Sequence, residues 1–158
     1  MTFLFVDKIT SLDPGRSVTG IKHISLYDQY VTRDSDGRIC FMSSLVGETL
    51  GQLAAWLVMF SNDFTKRPVA GIVASAHMHR PAFLGETLLL KSVIDELDDA
   101  MVRYHSEAHI DDELVFSIEG AIGPLLPMSD FIAKACVRRQ FDAVYRSSLS
   151  QSAKGGEV

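Results

Sequence analysis

The stretch Ser43–Phe60, SSLVGETLGQLAAWLVMF, limits what this chain can fold into more than any other segment. It contains no proline, opens on Ser43 and Ser44, either of which suits an N-cap, and is apolar nearly all the way round. That pattern predicts a helix over about 43–61, buried on most sides. Such a helix leaves little room for charge. Glu48 nevertheless lies within it, with Gln52 one turn later on the same face. An ionised carboxylate in apolar surroundings is costly unless it is paired, hydrogen-bonded or protonated. Glu48 therefore faces a functional cleft, or else the Glu48 and Gln52 face opens to solvent in the first turns, where a carboxylate also suits the helix dipole.

Around this helix the chain reads mainly as strands. Residues 3–12 and 17–26 are β-prone and flank Asp13-Pro14-Gly15-Arg16, a tight turn with Pro second and Gly third, so a hairpin is expected. Residues 27–37 are polar and end in Arg33-Asp34-Ser35-Asp36-Gly37, a loop by its composition. After the helix and a polar connection over 62–68, four β-rich segments follow at 69–80, 86–96, 101–110 and 113–122. The breaks at 81–85, 97–100 and 111–112 read as hairpin-like turns. One helix and a meander of long strands predict an α+β fold, an antiparallel sheet wrapped around the central helix. Beyond Pro127, Ser129 is expected to cap a second helix running to about Arg146. Its apolar stripe is Val137, Phe141, Val144 and Tyr145. The opposite face, with Lys134, Arg138, Arg139 and Arg146, reads as solvated, although a basic face also suits phosphopantetheine or an acidic carrier protein. Residues 1–146 form one expected domain, and 147–158, rich in Ser, Gly and Gln, an expected disordered tail.

Composition removes several function classes. A net charge of −5 with scattered basic residues gives no nucleic-acid or acidic-membrane footprint. Cys40 and Cys136 lack metal-site spacing and point to buried thiols in a reducing compartment. The start of the chain has neither the basic residues nor the cleavage site of a signal peptide, and the longest apolar run, Leu53–Phe60, is short for a membrane span. A soluble, cytoplasmic protein without metal or cofactor is expected. Nucleotide-binding, α/β-hydrolase and zincin motifs are all missing. His77 and His79 share a strand face, as do His105 and His109, while His23 lies beside Lys22; none has the neighbours of a metal site.

The order of elements, together with several local strings, resembles the hotdog-fold 3-hydroxyacyl-acyl-carrier-protein dehydratases of bacterial fatty-acid synthesis. Phe3-Leu-Phe-Val-Asp7, Leu12-Asp-Pro-Gly15 and Ile21-Lys-His-Ile-Ser25 look like that family's opening strands. Glu48-Thr-Leu-Gly-Gln52 stands where the family has Glu-Ala-Leu-Ala-Gln, and Arg80-Pro-Ala-Phe-Leu-Gly-Glu-Thr-Leu88 is similar to its Arg-Pro-Val-x-Pro-Gly-Asp-x-Leu. The resemblance implies dimers joined sheet edge to sheet edge, and an acyl thioester on a carrier protein or coenzyme A as substrate. It further implies a site between subunits where a helix carboxylate meets a histidine, with a backbone N–H steadying the thioester enolate.

Glu48 takes the carboxylate role. The family's histidine opens a His-Phe-Pro-Gly loop, and counting fourteen residues back from Glu48 lands on Asp34-Ser35-Asp36-Gly37, so the imidazole is replaced. Three accounts are open. Another histidine, His23 or His77, or a partner residue completes the site. Alternatively, Asp34 or Asp36 works with Glu48 as a carboxylate pair, or the site serves another thioester reaction such as hydrolysis. In the third, the chain is a catalytically impaired acyl-binding subunit that pairs with an active dehydratase paralogue. Gln52, Trp56, Met59 and Phe83 are the expected substrate-binding residues, the last three along an acyl tunnel between helix and sheet.

Overall fold

The computed structural model describes residues 5–152, with side chains described through Tyr145. The chain opens with a hairpin, β1 (Lys8–Asp13) and β2 (Ser17–His23), turned at Asp13–Arg16. Arg16 N–H donates to the Asp13 carbonyl at 3.0 Å, and Gly15 sits at φ 71°, which its missing Cβ permits. A second, shorter hairpin follows from β3 (Val31–Arg33) to β4 (Ile39–Phe41). The expected loop at 33–37 is its turn: Asp34 Oδ1 accepts N–H bonds from Asp36 (3.0 Å) and Arg38 (2.8 Å), and Gly37 takes φ 77°.

Helix α1 spans Ser43–Ser61, as the apolar pattern predicts. Its cap differs from expectation. Met42 is the N-cap and no side chain closes the first turn, so neither Ser43 nor Ser44 does the capping. Val46, Leu50, Leu53 and Leu57 recur every three to four residues and have no exposed surface. The helix ends where Asp63 and Phe64 turn left-handed (φ 52° and 57°), a bend held by the Asn62 side chain, which accepts from Thr65 and Lys66 N–H.

The remaining strands are β5 (Lys66–Pro68), β6 (Ile72–Met78), β7 (Ala82–Phe83), β8 (Thr87–Leu97), β9 (Met101–Ile110) and β10 (Glu113–Pro127). The main sheet runs β1-β2-β8-β9-β10, antiparallel throughout, with β6 and β5 following one another along the far side of β10. Here the expected meander is corrected. The break at 81–85 reads locally like a hairpin turn, but β6 pairs with β10, from Met78–Phe116 to Ile72–Ile122, and not with β8. Residues 79–86 therefore cross from one side of the sheet to the other. Glu86 holds the crossing, accepting both Arg80 guanidinium nitrogens at 3.0 Å and the Phe83 N–H at 2.7 Å. Ala82 and Phe83 extend the small hairpin as a third strand beside β4.

The curled sheet wraps α1 in the hotdog arrangement implied by the resemblance. The second helix, α2, begins at Lys134 rather than at Ser129, because Met128–Asp130 forms a separate 3-10 turn anchored by Met128 N–H on the Thr65 carbonyl at 2.8 Å. It continues to Ser152, so the expected disordered tail does not begin at 147; the remainder of that stretch, 153–158, lies outside the described residues. The predicted stripe packs as expected. Val137, Phe141 and Val144 are buried, with Phe141 meeting the rings of Trp56, Phe60 and Phe64 at 5.8, 5.1 and 5.4 Å. The basic face is not simply solvated: Lys134 and Arg138 pair with Asp63 at 2.7 and 3.3 Å, tying α2 to the end of α1.

Candidate active site

The N-terminal half of α1 faces an open cleft of about 370 Å³. That lies within the range of small-molecule sites, roughly 300–1,000 Å³. Its floor is one helix face: Glu48, Gly51, Gln52, Ala55 and Val58. The ten residue steps of helix from Glu48 to Val58 give a run of roughly 15 Å. The walls come from the 67–73 segment, from Val102 and Tyr104 on β9 and from Ala121–Gly123 on β10. Small helix residues leave this space empty, and the sheet approaches closely at its back. At Gly71 and Gly123 a Cβ would meet the opposing carbonyl oxygens of Ile122 and Val69 at 2.3 and 2.4 Å, so only glycine fits either position.

Glu48 is exposed at the mouth of the cleft. Gln52 orients it: the Gln52 carbonyl oxygen accepts Phe5 N–H at 3.0 Å, and Nε2 in turn donates to Glu48 Oε1 at 3.3 Å. The amide is held by the first, shorter bond, and among the described residues Glu48 Oε2 takes no hydrogen bond. Apart from Arg67 in the 67–73 wall, Tyr104 is the other ionisable group here. Burial raises its phenol above the ordinary value of 10.0, and the nearby Glu48 carboxylate adds to the rise. It stays an O–H donor throughout the neutral range. No group of three His, Cys, Asp or Glu among the described residues has metal-binding geometry.

Of the residues singled out in the sequence, only Glu48 and Gln52 meet in this cleft. Asp34 and Asp36 do not line it. Asp34 is committed to its hairpin turn, and Asp36 is exposed at the tip of the same turn. Trp56 and Met59 are buried on another face of α1, where Trp56 packs on Phe141. Phe83 lies beneath the Arg38 guanidinium, 3.4 Å from its ring centroid. No histidine lines the cleft either: His23 pairs with Thr87 at 2.9 Å, His79 with Ser117 at 3.0 Å and His105 with Asp95 at 2.8 Å, while His77 is exposed on β6. Tyr104 is the residue that the sequence reading missed. The signal was present, because His105 and His109 on one face of β9 place Tyr104 on the other, toward the helix.

No family model matches the chain. A curated relative decides its membership: over 114 residues the chain is 30% identical to the 3-hydroxyacyl-acyl-carrier-protein dehydratase FabZ of Rickettsia typhi, covering 71% of this chain and 79% of that protein. The chain belongs to the 3-hydroxyacyl-acyl-carrier-protein dehydratase family. A second dehydratase, from Rickettsia bellii strain RML369-C, is 29% identical over 114 residues with the same coverage. Among solved structures, this dehydratase-family chain shares its fold with smu.793 from Streptococcus mutans UA159 bound to acetyl CoA. The TM-score is 0.60 at 13% identity, over 80% of this chain and 92% of that one. Zebra fish thioesterase superfamily member 2 also has a TM-score of 0.60, at 11% identity over 75% and 80% of the two chains. At such identities the likeness is one of fold. No helix among the described residues is long and apolar enough to cross a membrane.

Proposed function

We propose that this chain binds a 3-hydroxyacyl thioester in the cleft along α1 and removes water from it, with Glu48 as the acid/base residue. The observation that carries this is the Glu48 carboxylate at the mouth of a largely apolar cleft, with Oε1 held by Gln52. A carboxylate next to the thioester can take the Cα proton, while the apolar length beyond it suits an acyl chain. Carrier protein and coenzyme A are both sources of that thioester: the Rickettsia relatives are named for the first, and smu.793 was solved with the acetylated second.

The working form is proposed to be a dimer joined through β6. Six of its seven residues are exposed, Ile72 by 69% and Val73 by 51%, and among the described residues its outer edge has no strand partner. An apolar strand with a free edge invites pairing. Light scattering on the purified chain should give twice 17.4 kDa, and Ala76→Lys with Met78→Lys should yield monomer. A monomeric wild type would refute the edge assignment. Asp36 is proposed to reach a Glu48 only across such a dimer.

A second reading is supported by the absence of any histidine from the cleft: an acyl-binding subunit that completes an active paralogue. The purified chain, alone and mixed with a co-encoded paralogue, should be given 3-hydroxyacyl and acyl thioesters. Enoyl product from the chain alone supports dehydration, and product only from the mixture supports the paired reading. Release of free thiol without enoyl product would make the protein a thioesterase and defeat both.

A further inference from the structure

Tyr104 lies on the inner face of β9, in the same alternation that buries Val102, Ser106 and Ala108, and is paired across the sheet with Ile94 and Ala121. From the β9 wall its hydroxyl reaches α1. A Cβ built on Gly51 would stand 3.9 Å from the phenol oxygen, which places the hydroxyl against the helix one turn after Glu48 and beside Gln52. Among the described residues this hydroxyl has no hydrogen-bond partner, although it opens into a site with few polar groups. A donor left unmatched at such a place is satisfied by whatever fills the site.

We propose that Tyr104 is a catalytic residue of the Glu48 site, donating its O–H to the thioester carbonyl oxygen of the bound substrate. The inference rests on the dehydration reading above and supplies a donor for the thioester carbonyl in a cleft without histidine. Glu48 takes the Cα proton, and the C–H electron pair moves to give an enolate whose charge resides on the carbonyl oxygen, against the Tyr104 hydroxyl. The enolate then reforms the carbonyl, the Cα–Cβ double bond forms, the Cβ–O bond breaks and Glu48 returns its proton to the departing hydroxyl. One water leaves, Glu48 is again a carboxylate, and Tyr104 has remained protonated throughout. A phenol raised by burial and by the adjacent carboxylate suits this role, because it must donate a hydrogen bond without losing its proton.

The test is Tyr104→Phe in the full chain, which removes one oxygen and keeps the ring. Loss of one donor to a developing oxyanion lowers kcat by about 10²–10³-fold. The expected result is a fall of that size with KM and melting temperature nearly unchanged, and an unaltered kcat would overturn the assignment. A second measurement needs no turnover. A saturated decanoyl-pantetheine thioester carrying 13C at its carbonyl is bound to wild type and variant, and its infrared carbonyl stretch is recorded. The stretch should be lowered in wild type and return toward the solution value in Tyr104→Phe; identical stretches would exclude the contact. If wild type forms no enoyl product yet shows the lowered stretch, the dehydration reading fails while the Tyr104 contact stands. Failure of the probe to bind overturns both.

Discussion

From Ser43 to Ala55, helix α1 presents Glu48, Gly51 and Ala55 to an open cleft; from Trp56 to Ser61 its aromatic side chains are covered by α2, and Val58 alone of that stretch still borders the cleft. Phe60 packs tilted and Phe64 edge-on against Phe141, and Trp56, Leu57 and Met59 are buried. The closed half has the volume that a core requires, and the open half withholds it. Gly51 and Ala55 leave room where Leu or Phe would fill the cleft, while Gly47 lets the Phe116 ring pack against the helix. The contrast shows how one continuous helix anchors a fold at one end and presents a carboxylate at the other. Aromatic packing fixes the helix axis, so Glu48 holds its position without burial of its own.

The sharpest way to break this division is to empty the closed half. Phe141→Ala should cost about 3–5 kcal/mol through lost contacts and the cavity left between the helices. Chemical denaturation would measure it, and a change below about 1 kcal/mol would show that α2 does not anchor α1. A smaller loss is expected at the crossover that carries the chain between β6 and β8. Glu86 is held below its ordinary 4.5: burial opposes the shift, but the Arg80 guanidinium and the Phe83 N–H outweigh it. A depressed carboxylate stabilises the folded state fully above its unfolded value and loses that contribution as pH falls through the folded one. Wild type should therefore lose stability below about pH 4.5 more steeply than Glu86→Gln. That variant starts about 1–2 kcal/mol lower at pH 7, since a hydrogen bond to a charged group contributes roughly 1.5–3 kcal/mol when well shielded. Parallel acid curves for the two proteins would refute the role given to Glu86.

Asp34→Ala should cost about 1 kcal/mol by freeing the Asp36 and Arg38 N–H groups, and should leave turnover unchanged if the residue only shapes its turn. A large fall in kcat at constant stability would instead return Asp34 to the acid/base pair. The smallest effect sharpens the comparison most. Gly51→Ala meets the Tyr104 oxygen at an ordinary 3.9 Å, so the helix should gain about 0.5–1 kcal/mol while the cleft narrows. Higher melting temperature with a raised KM is the expected pair of results. A raised melting temperature with unchanged KM would show that Gly51 does not border the substrate.

Much of this was legible in the residues. The uninterrupted apolar run of α1 fixed its span, Asp13-Pro14-Gly15 its first hairpin, and the spacing of Glu48 and Gln52 the polar pair on its open face. Other features were not, for physical reasons. The crossover at 81–85 has the composition of a hairpin turn, and nothing local shows that the free edge of β10, opposite β9, takes β6 over 116–122. Ser129 looks like a helix cap, but the 3-10 turn after Pro127 occupies that place. Trp56 and Met59 read as tunnel residues because a helix apolar on all sides does not reveal which face α2 covers. Tyr104 passed unnoticed among five histidines, although strand alternation points it inward.

The central claim, that the open half of α1 performs chemistry with Glu48, is tested most directly by Glu48→Gln. The variant keeps the size of the side chain and its hydrogen bonding to Gln52 while removing the base. Steady-state enoyl-thioester formation should fall by about 10²–10⁴-fold with the melting temperature held near that of wild type. An undiminished rate from a folded Glu48→Gln protein would contradict the account.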